Sequence, residues 1–382
     1  MLPGGTALRV PPIFNNKEEP KMHCCDKEIK CLEVETESAI YDIELGPIQI
    51  EITGRCNMNC AHCRASEMPK EDMPLDEILK IVKFARTYSP NYKEITISGG
   101  EPLLHKEFRK VICGLRENGA DYLTITTNGS LITEDLLDFF ESLKFERLML
   151  SVSVDSTEPK KHDAFRGHDN AFDKAVAALK MISSRKSEKL VPSMKTVVMP
   201  DTIDEMAAQV SLADNLGCKR VSFTSVIYSG KAKTESNMWM TSIQKKQFLE
   251  NIYRLKKEYP HINVTTNDPL KCIIRGMSDE PTSDSEIVMD GCPAATVSFN
   301  VNSDGVMTPC SLLNVPMMNT FELTAEEIAE KYRSNEITKM FLDMDLRGKC
   351  SNCSKKYLCC GCRARALAYS GDIMGEDPEC WV

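Results

Sequence analysis

Residues 48–63 read IQIEITGRCNMNCAHC and join an apolar run to three closely spaced cysteines. The run Ile48 to Ile52 predicts a buried strand. Cys56, Cys60 and Cys63 follow it directly with CxxxCxxC spacing. Three thiolates this close can bind three irons of a cubane iron-sulfur cluster, whereas a closed cluster site takes four cysteines. The fourth iron is then open to a substrate or cosubstrate, as the fourth position of a catalytic zinc site is.

Strand and helix patterns alternate along the chain that follows this loop. Apolar runs predict buried strands at Ile95 to Ile97, Leu123 to Ile125, Leu148 to Val154, Thr196 to Met199 and Val221 to Val226. Amphipathic segments predict helices at Leu75 to Ala85, Phe108 to Glu117, Glu134 to Leu143, Phe172 to Ile182 and Ile203 to Leu216. With the strand before the cysteines, this makes six parallel strands with helical crossovers in an α/β fold. Ligand sites of such sheets lie at the carboxyl ends of the strands, where the cysteines are expected.

A glycine pair follows the second of these strands, in the sequence Ser98, Gly99, Gly100, Glu101, Pro102. Two glycines let the backbone approach a ligand closely, and the Glu101 carboxylate can hold an ammonium group. A Gly-Gly pair by itself is usually only a turn. Its place one strand after the cysteines favours a ligand site.

Composition limits the classes of partner. The chain has 382 residues, 42% of them hydrophobic, and a formal net charge of -9, which disfavours nucleic acids and anionic membranes. No apolar run approaches the roughly 20 residues that cross a bilayer, and the N-terminus lacks a signal-peptide core, so we expect a cytoplasmic protein. In that compartment 17 cysteines favour metal binding over disulfides.

The cysteine spacing together with the Gly-Gly-Glu-Pro sequence resembles the radical S-adenosylmethionine (radical SAM) enzymes. The resemblance implies a partial (β/α)6 TIM barrel in which Cys56, Cys60 and Cys63 hold a four-iron four-sulfur (4Fe-4S) cluster. It also implies that S-adenosylmethionine (SAM) binds the open iron and is cleaved to a 5′-deoxyadenosyl radical. Gly99, Gly100 and Glu101 would then hold the methionine amino group. A low-potential donor such as ferredoxin or flavodoxin would supply the electron.

The resemblance extends to the end of the fourth predicted strand. Ser153, Asp155 and Arg166 stand where many members of the family contact the ribose and carboxylate of SAM. A strand end followed by a solvated loop is the alternative interpretation of these three residues.

The C-terminal third carries a second group of cysteines. They are Cys292, Cys310, Cys350, Cys353, Cys359, Cys360, Cys362 and Cys380. Taken alone, CxxC pairs such as Cys350 and Cys353 suit tetrahedral zinc. After the radical SAM motif, however, the layout resembles the SPASM extension of that family, which holds two auxiliary 4Fe-4S clusters.

The SPASM pattern assigns most of these thiols. One cluster would take Cys292, Cys310 and Cys362, and the other would take Cys350, Cys353, Cys359 and Cys380. The spacing is irregular at Leu358 to Arg363, so that either Cys359 or Cys360 is the ligand. Cys272 is a candidate fourth ligand of the first cluster, and an open iron that meets the substrate is the alternative.

These patterns divide the chain into three parts. Residues 1–45 are expected to form a flexible arm whose Cys24, Cys25 and Cys31 bind no metal. Residues 46–265 are expected to form the radical SAM barrel, and residues 266–382 the SPASM domain.

The resemblance indicates the reaction better than the substrate. Auxiliary clusters can accept a surplus electron, so a net two-electron oxidation is expected. A precursor peptide or protein side chain is the favoured substrate, through a crosslink, a thioether or a dehydrogenation. The last 75 residues also resemble enzymes of alternative haem and haem d1 pathways, which modify propionate or acetate side chains of an iron tetrapyrrole. A non-catalytic cluster or zinc-binding protein is the alternative of another class.

Overall fold

A computed structural model describes residues 31–89, 94–275 and 291–382. Cys24, Cys25 and the first 30 residues of the predicted arm lie outside the described residues. None of the helices in the described ranges is both long enough and apolar enough to span a bilayer.

The described chain alternates strands and helices from residue 48 to residue 266. The strands are β1 (Leu32–Glu35), β2 (Ile40–Ile43), β3 (Ile48–Thr53), β4 (Glu94–Gly99), β5 (Tyr122–Thr127), β6 (Arg147–Ser153), β7 (Leu190–Val198), β8 (Arg220–Ser225), β9 (Asn263–Thr266), β10 (Asn300–Val301), β11 (Val306–Thr308) and β12 (Met318–Asn319). The α-helices are α1 (Leu75–Thr87), α2 (Phe108–Glu117), α3 (Glu134–Ser142), α4 (Pro159–Arg166), α5 (Ala171–Ser184), α6 (Met206–Asn215), α7 (Ser242–Glu258), α8 (Lys271–Arg275), α9 (Ala325–Arg333), α10 (Glu336–Asp343), α11 (Lys356–Cys359) and α12 (Arg363–Ser370).

Ten of these strands form one sheet in the order β12-β11-β10-β3-β4-β5-β6-β7-β8-β9. Strands β3 to β9 are parallel throughout. The six predicted strands are β3 to β8, and the α/β class with a partial barrel is confirmed. The sheet ends at β9 on one side and β12 on the other, so the barrel is open. Strand β9 is a seventh parallel strand that the sequence interpretation missed.

The predicted helices occur with small shifts at their ends. Helix α2 has the predicted bounds. The segment expected to be helical from Ile203 instead begins as a 3-10 turn, Pro200–Glu205, and becomes α-helical at Met206. Apolar residues on one side of each strand pack against these helices, as Leu190, Met194 and Val198 of β7 do. We call the opposite side of the ten-stranded sheet its inner face.

The expectation of a flexible arm up to residue 45 is wrong for residues 32–43. Strands β1 and β2 pair as an antiparallel hairpin. Leu32 and Val34 of β1 and Ile43 of β2 are fully buried. In β1 apolar and polar residues alternate with a period of two, which places Leu32 and Val34 on the face that meets the core. The hairpin is therefore part of the folded core.

The C-terminal cysteine region continues the main sheet. Strand β10 pairs in parallel with β3, the strand that precedes the first cysteines, and β11 and β12 extend it antiparallel. The residues before and after the domain boundary predicted at residue 265 thus contribute strands to the same sheet.

Candidate functional site

Cys56, Cys60 and Cys63 lie in the loop that leaves the carboxyl end of β3. We call residues 56–63 the cysteine loop. Cys56 is exposed, Cys63 is partly exposed and Cys60 is buried. Burial raises the pKa of the Cys60 thiol, and the nearby Arg166 guanidinium opposes this increase. Because iron binds the thiolate, a bound cation is what would stabilise the deprotonated form of such a group.

Residues 99–102, which we call the glycine loop, pack on the backbone directly before the cysteine loop. Gly100 N donates to the Thr53 carbonyl over 2.8 Å, and Glu101 N donates to the Arg55 carbonyl over 2.7 Å. A Cβ at Gly100 would lie 2.2 Å from the Arg55 carbonyl oxygen, and Gly99 has a φ of +136°. The close approach therefore needs both glycines.

Glu101 is buried and joins the carboxyl ends of β4 and β5. Its Oε1 accepts from Thr127 Oγ1 over 2.7 Å and its Oε2 accepts from Asn128 N over 2.8 Å. Burial raises the pKa of Glu101 to about 7, against the effect of these hydrogen bonds. A buried carboxylate held by neutral donors is suited to an ammonium group, which would complete its electrostatic balance.

Helix α4 holds the other side of the cysteine loop. Asn59 N and Ala61 N donate to the carbonyls of Arg166 and Phe165, over 3.2 and 2.9 Å. The His62 ring stacks on the Phe165 ring with 4.4 Å between the centroids. Burial lowers the pKa of His62 to about 4, so the ring is neutral at physiological pH. The loop is thus held on two sides by other carboxyl-end segments.

Two of the three predicted residues, Asp155 just after β6 and Arg166 at the end of α4, meet beside the cysteine loop. Arg166 Nη2 lies 2.6 Å from Asp155 Oδ2, and Arg166 Nη1 lies 3.8 Å from the Cys60 sulfur. Both residues are buried. Ser153 is the last residue of β6 and is also buried. The solvated-loop alternative does not describe Asp155 and Arg166, because both are enclosed.

Two charged residues that the sequence interpretation missed, Arg64 and Glu51, form an ion pair next to the cysteine loop. Arg64, directly after the cysteine loop, forms an ion pair with Glu51 of β3, and its Nη1 donates to the Ser311 carbonyl over 3.2 Å. Glu51 is fully buried. A Glu within a strand predicted to be buried was the available signal, since a buried carboxylate needs a partner.

The first group of C-terminal thiols contains Cys292, Cys310 and Cys362. Burial raises the pKa of Cys310 to about 12, and the neighbouring thiols of Cys292 and Cys362 add to this increase. Burial likewise raises the pKa of Cys362 to about 12, again with Cys292 as a neighbour. The structure therefore brings together the three cysteines that were expected to share a cluster.

The second group of C-terminal thiols surrounds a cavity. Its cysteines are Cys350, Cys353, Cys359, Cys360 and Cys380. Asp377 joins the two groups, because it lines this cavity and its Oδ2 accepts from Cys362 N over 2.7 Å.

The structure separates the three thiols whose assignment the sequence left open. Cys272 lies within hydrogen-bonding distance of the Cys359 side chain, so it stands at the second group. Cys360 lines a cavity with Cys292 as well as the cavity of the second group. It has a φ of +60°, a conformation that glycine usually takes at a helix end.

Within residues 31–89, 94–275 and 291–382, no three His, Cys, Asp or Glu side chains converge as the ligands of a single metal ion would. The thiols of the second C-terminal group instead line a small cavity.

Comparison with known proteins identifies the family. The profile of the Radical SAM superfamily matches residues 50–213, the segment that runs from β3 to α6. Residues 50–213 therefore form a radical SAM domain. Family membership implies a 4Fe-4S cluster and SAM, and the three clustered thiols and the glycine loop fit this pair of cofactors.

Relatives and solved structures extend the similarity to the C-terminal region. The AdoMet-dependent haem synthase of Methanosarcina barkeri is 28% identical, over 86% of this chain and 94% of the relative. The PqqA peptide cyclase of Rhizobium meliloti is 22% identical, over 86% of this chain and 85% of the relative. The crystal structure of Streptococcus suis SuiB bound to its precursor peptide SuiA has a TM-score of 0.71 at 15% identity, over 89% of this chain and 76% of that chain. Such coverage agrees with the predicted SPASM extension.

Proposed function

We propose that the cysteine loop holds the 4Fe-4S cluster that binds and cleaves SAM. Cys56, Cys60 and Cys63 would be the three ligands. When bound, the cluster and SAM supply a 5′-deoxyadenosyl radical that removes a hydrogen atom from the substrate. The observation that carries this proposal is the joint position of the loop, of Glu101 and of Arg166 at the carboxyl end of one sheet.

The surrounding residues would orient SAM. The buried carboxylate of Glu101 would bind the methionine amino group. Gly99 and Gly100 carry no Cβ, so the backbone at this loop leaves room for SAM. Arg166 would approach the methionine carboxylate, and Ser153 and Asp155 would contact the carboxylate or the ribose. A low-potential ferredoxin or flavodoxin would deliver the electron.

The C-terminal thiols would hold two auxiliary clusters in a domain that we place at residues 266–382. Cys292, Cys310 and Cys362 would bind the first, and Cys350, Cys353, Cys359 and Cys380 the second. Cys360 is the better candidate for a fourth ligand of the first cluster, because it lies beside Cys292 while Cys272 lies beside Cys359. Clusters at these positions would accept the electron that the substrate radical gives up.

We further propose an iron tetrapyrrole as the first candidate substrate. Two AdoMet-dependent haem synthases match this chain over 86% of its length at 28% and 26% identity, more than the peptide cyclase does, which reverses the preference given by the sequence alone. Loss of a hydrogen atom from the ring-attached carbon of a propionate, then of one electron and CO2, would leave a vinyl group. A peptide side chain is the second candidate, favoured by the similarity to the PqqA peptide cyclase.

Anaerobic reconstitution tests both the radical SAM chemistry and the proposed substrate. Reduced protein with SAM should yield 5′-deoxyadenosine, and the same mixture with iron coproporphyrin III should yield vinyl products and CO2. A variant with alanine at the three loop cysteines is the control. If the wild-type protein forms no 5′-deoxyadenosine, the proposed radical SAM activity is excluded. If metal analysis of the protein finds much zinc and little iron, the proposed iron-sulfur clusters are excluded. If SAM is cleaved but the porphyrin is not converted, the tetrapyrrole is excluded as the substrate and a peptide remains the candidate.

A further inference from the structure

Lys195 of β7 lies on the inner face of the sheet. It is aligned with Ser153 of β6 and Ser222 of β8, and aligned residues of neighbouring parallel strands point to the same side. Its neighbours in β7, Met194 and Thr196, point to the helix side, and Met194 belongs to the hydrophobic core. The ammonium group of Lys195 therefore projects away from the helices.

The inner face is enclosed although it is polar. Ser151 and Ser193, in the layer before Lys195, are buried, as is Ser222 beside it. The charged residues near the carboxyl end of this face are mostly paired, Arg64 with Glu51 and Arg166 with Asp155. This arrangement resembles a binding cavity more than an apolar core, because apolar side chains would fill a core.

Lys195 is the exception to the pairing. No hydrogen bond or ion pair joins its side chain to any residue that the structure describes. The charged groups that act on it are mainly cations, Arg64, Arg220 and Arg166, and the one acid is Asp155, which Arg166 already holds. Burial and these cations lower the pKa of Lys195 to about 8. Lys195 is only partly exposed, and an ammonium group shielded from water among guanidinium groups is favoured by a bound anion.

Lys195 lies below the cysteine loop, at a depth that is suitable for binding a substrate. Val197, two residues later in β7, donates its N–H to Asp155 Oδ1 over 2.9 Å at the level of the cysteine loop. Two residues of a strand span about 7 Å, so Lys195 lies one layer below that level. A molecule bound at Lys195 would thus extend toward the place where SAM is cleaved.

We propose that Lys195 binds a carboxylate of the substrate on the inner face, which makes the substrate an organic acid. The proposal rests on the proposed function, since it places the substrate below the SAM site. It concerns a residue outside the radical SAM sequence motifs. Propionate side chains of a tetrapyrrole and acidic groups of a peptide both meet the requirement, so it is independent of which candidate substrate is correct.

Chemical labelling of Lys195 tests the proposal directly. The reconstituted, oxidised holoenzyme with SAM is treated with formaldehyde and a borane, and methylation of each lysine is measured by mass spectrometry. Propionate should slow labelling of Lys195 by about tenfold, because a carboxylate forms a charge-assisted hydrogen bond with it, whereas the neutral isostere propionamide should not. Lys180, which is exposed on α5, is the internal control.

Each other result of this labelling would overturn the proposal. Equal protection by propionate and propionamide would mean that no carboxylate is recognised. Complete protection by SAM alone would assign Lys195 to the cosubstrate. Absence of labelling under all conditions would mean that the inner face admits no ligand there. None of these results affects the formation of 5′-deoxyadenosine, which tests the proposed function separately.

A binding comparison provides a second measurement with a larger ligand. Iron coproporphyrin III and its tetramethyl ester are titrated into wild-type protein and into Lys195→Met, Lys195→Arg and Lys180→Met. The wild-type protein and Lys180→Met should prefer the acid by about tenfold or more, and Lys195→Met should lose most of this preference. Lys195→Arg should keep it, because the charge is retained. Undiminished preference for the acid in Lys195→Met would overturn the proposal.

Discussion

Replacement of Lys245 by methionine is expected to destabilise the protein by about 3–5 kcal/mol, because it removes one cation from a buried ionic network. Lys245 of α7 is fully buried, and its Nζ lies 2.7 Å from Asp268 Oδ2 and 2.8 Å from Glu379 Oε2. Arg365 of α12 completes the network through contacts of 2.8 Å with Asp268 and 2.7 Å with Asp377. The network thus joins the parallel sheet and its helices to the C-terminal cysteine region.

The magnitude follows from the charge count. Two cations, Lys245 and Arg365, face three carboxylates, those of Asp268, Asp377 and Glu379. Without Lys245, one guanidinium group must compensate all three in a place from which water is excluded, and the uncompensated charge carries the cost. Methionine replaces the apolar stem of lysine at similar volume, so loss of packing adds little.

The network also predicts a pH dependence. Burial alone would raise the pKa of Asp268, but Arg365 and Lys245 hold it below its ordinary value. A carboxyl group with a depressed folded-state pKa stabilises the protein above its unfolded pKa of about 3.9, and this contribution is lost as the pH falls below that. In Lys245→Met the folded-state pKa of Asp268 should rise toward about 3.9, so less stability should be lost below that pH than in the wild-type protein.

The assay is urea unfolding of the anaerobically reconstituted protein, followed by cluster absorbance and by the fluorescence of Trp239 and Trp381. Lys246→Met is the matched control, because the side chain of that lysine is 42% exposed and stands 3.9 Å from Glu250, so its loss should cost less than about 1 kcal/mol. Adding Glu379→Gln to Lys245→Met should recover part of the lost stability. Equal unfolding midpoints for Lys245→Met and Lys246→Met would refute the reasoning.

Three further predictions concern the functional face. Alanine at all three positions of the cysteine-loop thiols should abolish SAM cleavage and leave about eight irons per chain, and loss of all iron would contradict separate auxiliary sites. Gly100→Ala would set a Cβ 2.2 Å from a carbonyl oxygen and should lower the rate of SAM cleavage by about a hundredfold. A Cβ at Gly371 meets nothing within 4 Å, so Gly371→Ala should leave that rate within about twofold of wild type, at a cost in stability of about 1–2 kcal/mol for its left-handed backbone. Similar rates for the two glycine variants would contradict the role of Gly100. Arg64→Met should lower the free energy of unfolding by about 3–5 kcal/mol and Glu51→Gln should partly rescue it, whereas wild-type stability of Arg64→Met in urea would show that Glu51 does not need its partner.

Strands β3 to β8 could be predicted because each is encoded locally. Their apolar runs and the amphipathic helices between them have clear periods, and the order of elements then fixes parallel pairing with helical crossovers. Helix α2 even has its predicted bounds. The position of the cysteine loop at the carboxyl end of β3 followed from the same local information.

The short elements could not be predicted in this way. Strands β10 and β12 contain two residues each, too few to show a period, and they exist because β10 pairs with β3 and β12 pairs with β11. The hairpin of β1 and β2 has an alternating pattern, but each strand has only four residues. Its burial depends on the core that it meets rather than on its own sequence.

The sequence by itself determined the chemistry at the start of the reaction. Cys56, Cys60 and Cys63 lie within eight residues, so they remain neighbours in almost any fold, and the same holds for Gly99, Gly100 and Glu101 in their loop. Residue spacing alone therefore indicates three thiols that can hold a cluster with one open iron.

Only the tertiary structure decided which distant groups meet. Cys272 lies beside Cys359, Cys360 lies beside Cys292, and Lys195 is left without a side-chain partner among the described residues of an enclosed face. These relations depend on strand register and on contacts between segments far apart in the chain, and residue spacing does not encode either of them. The physical reason is that burial, which gives an unpaired ammonium group or a neighbouring thiol its effect, arises only when the whole sheet has formed.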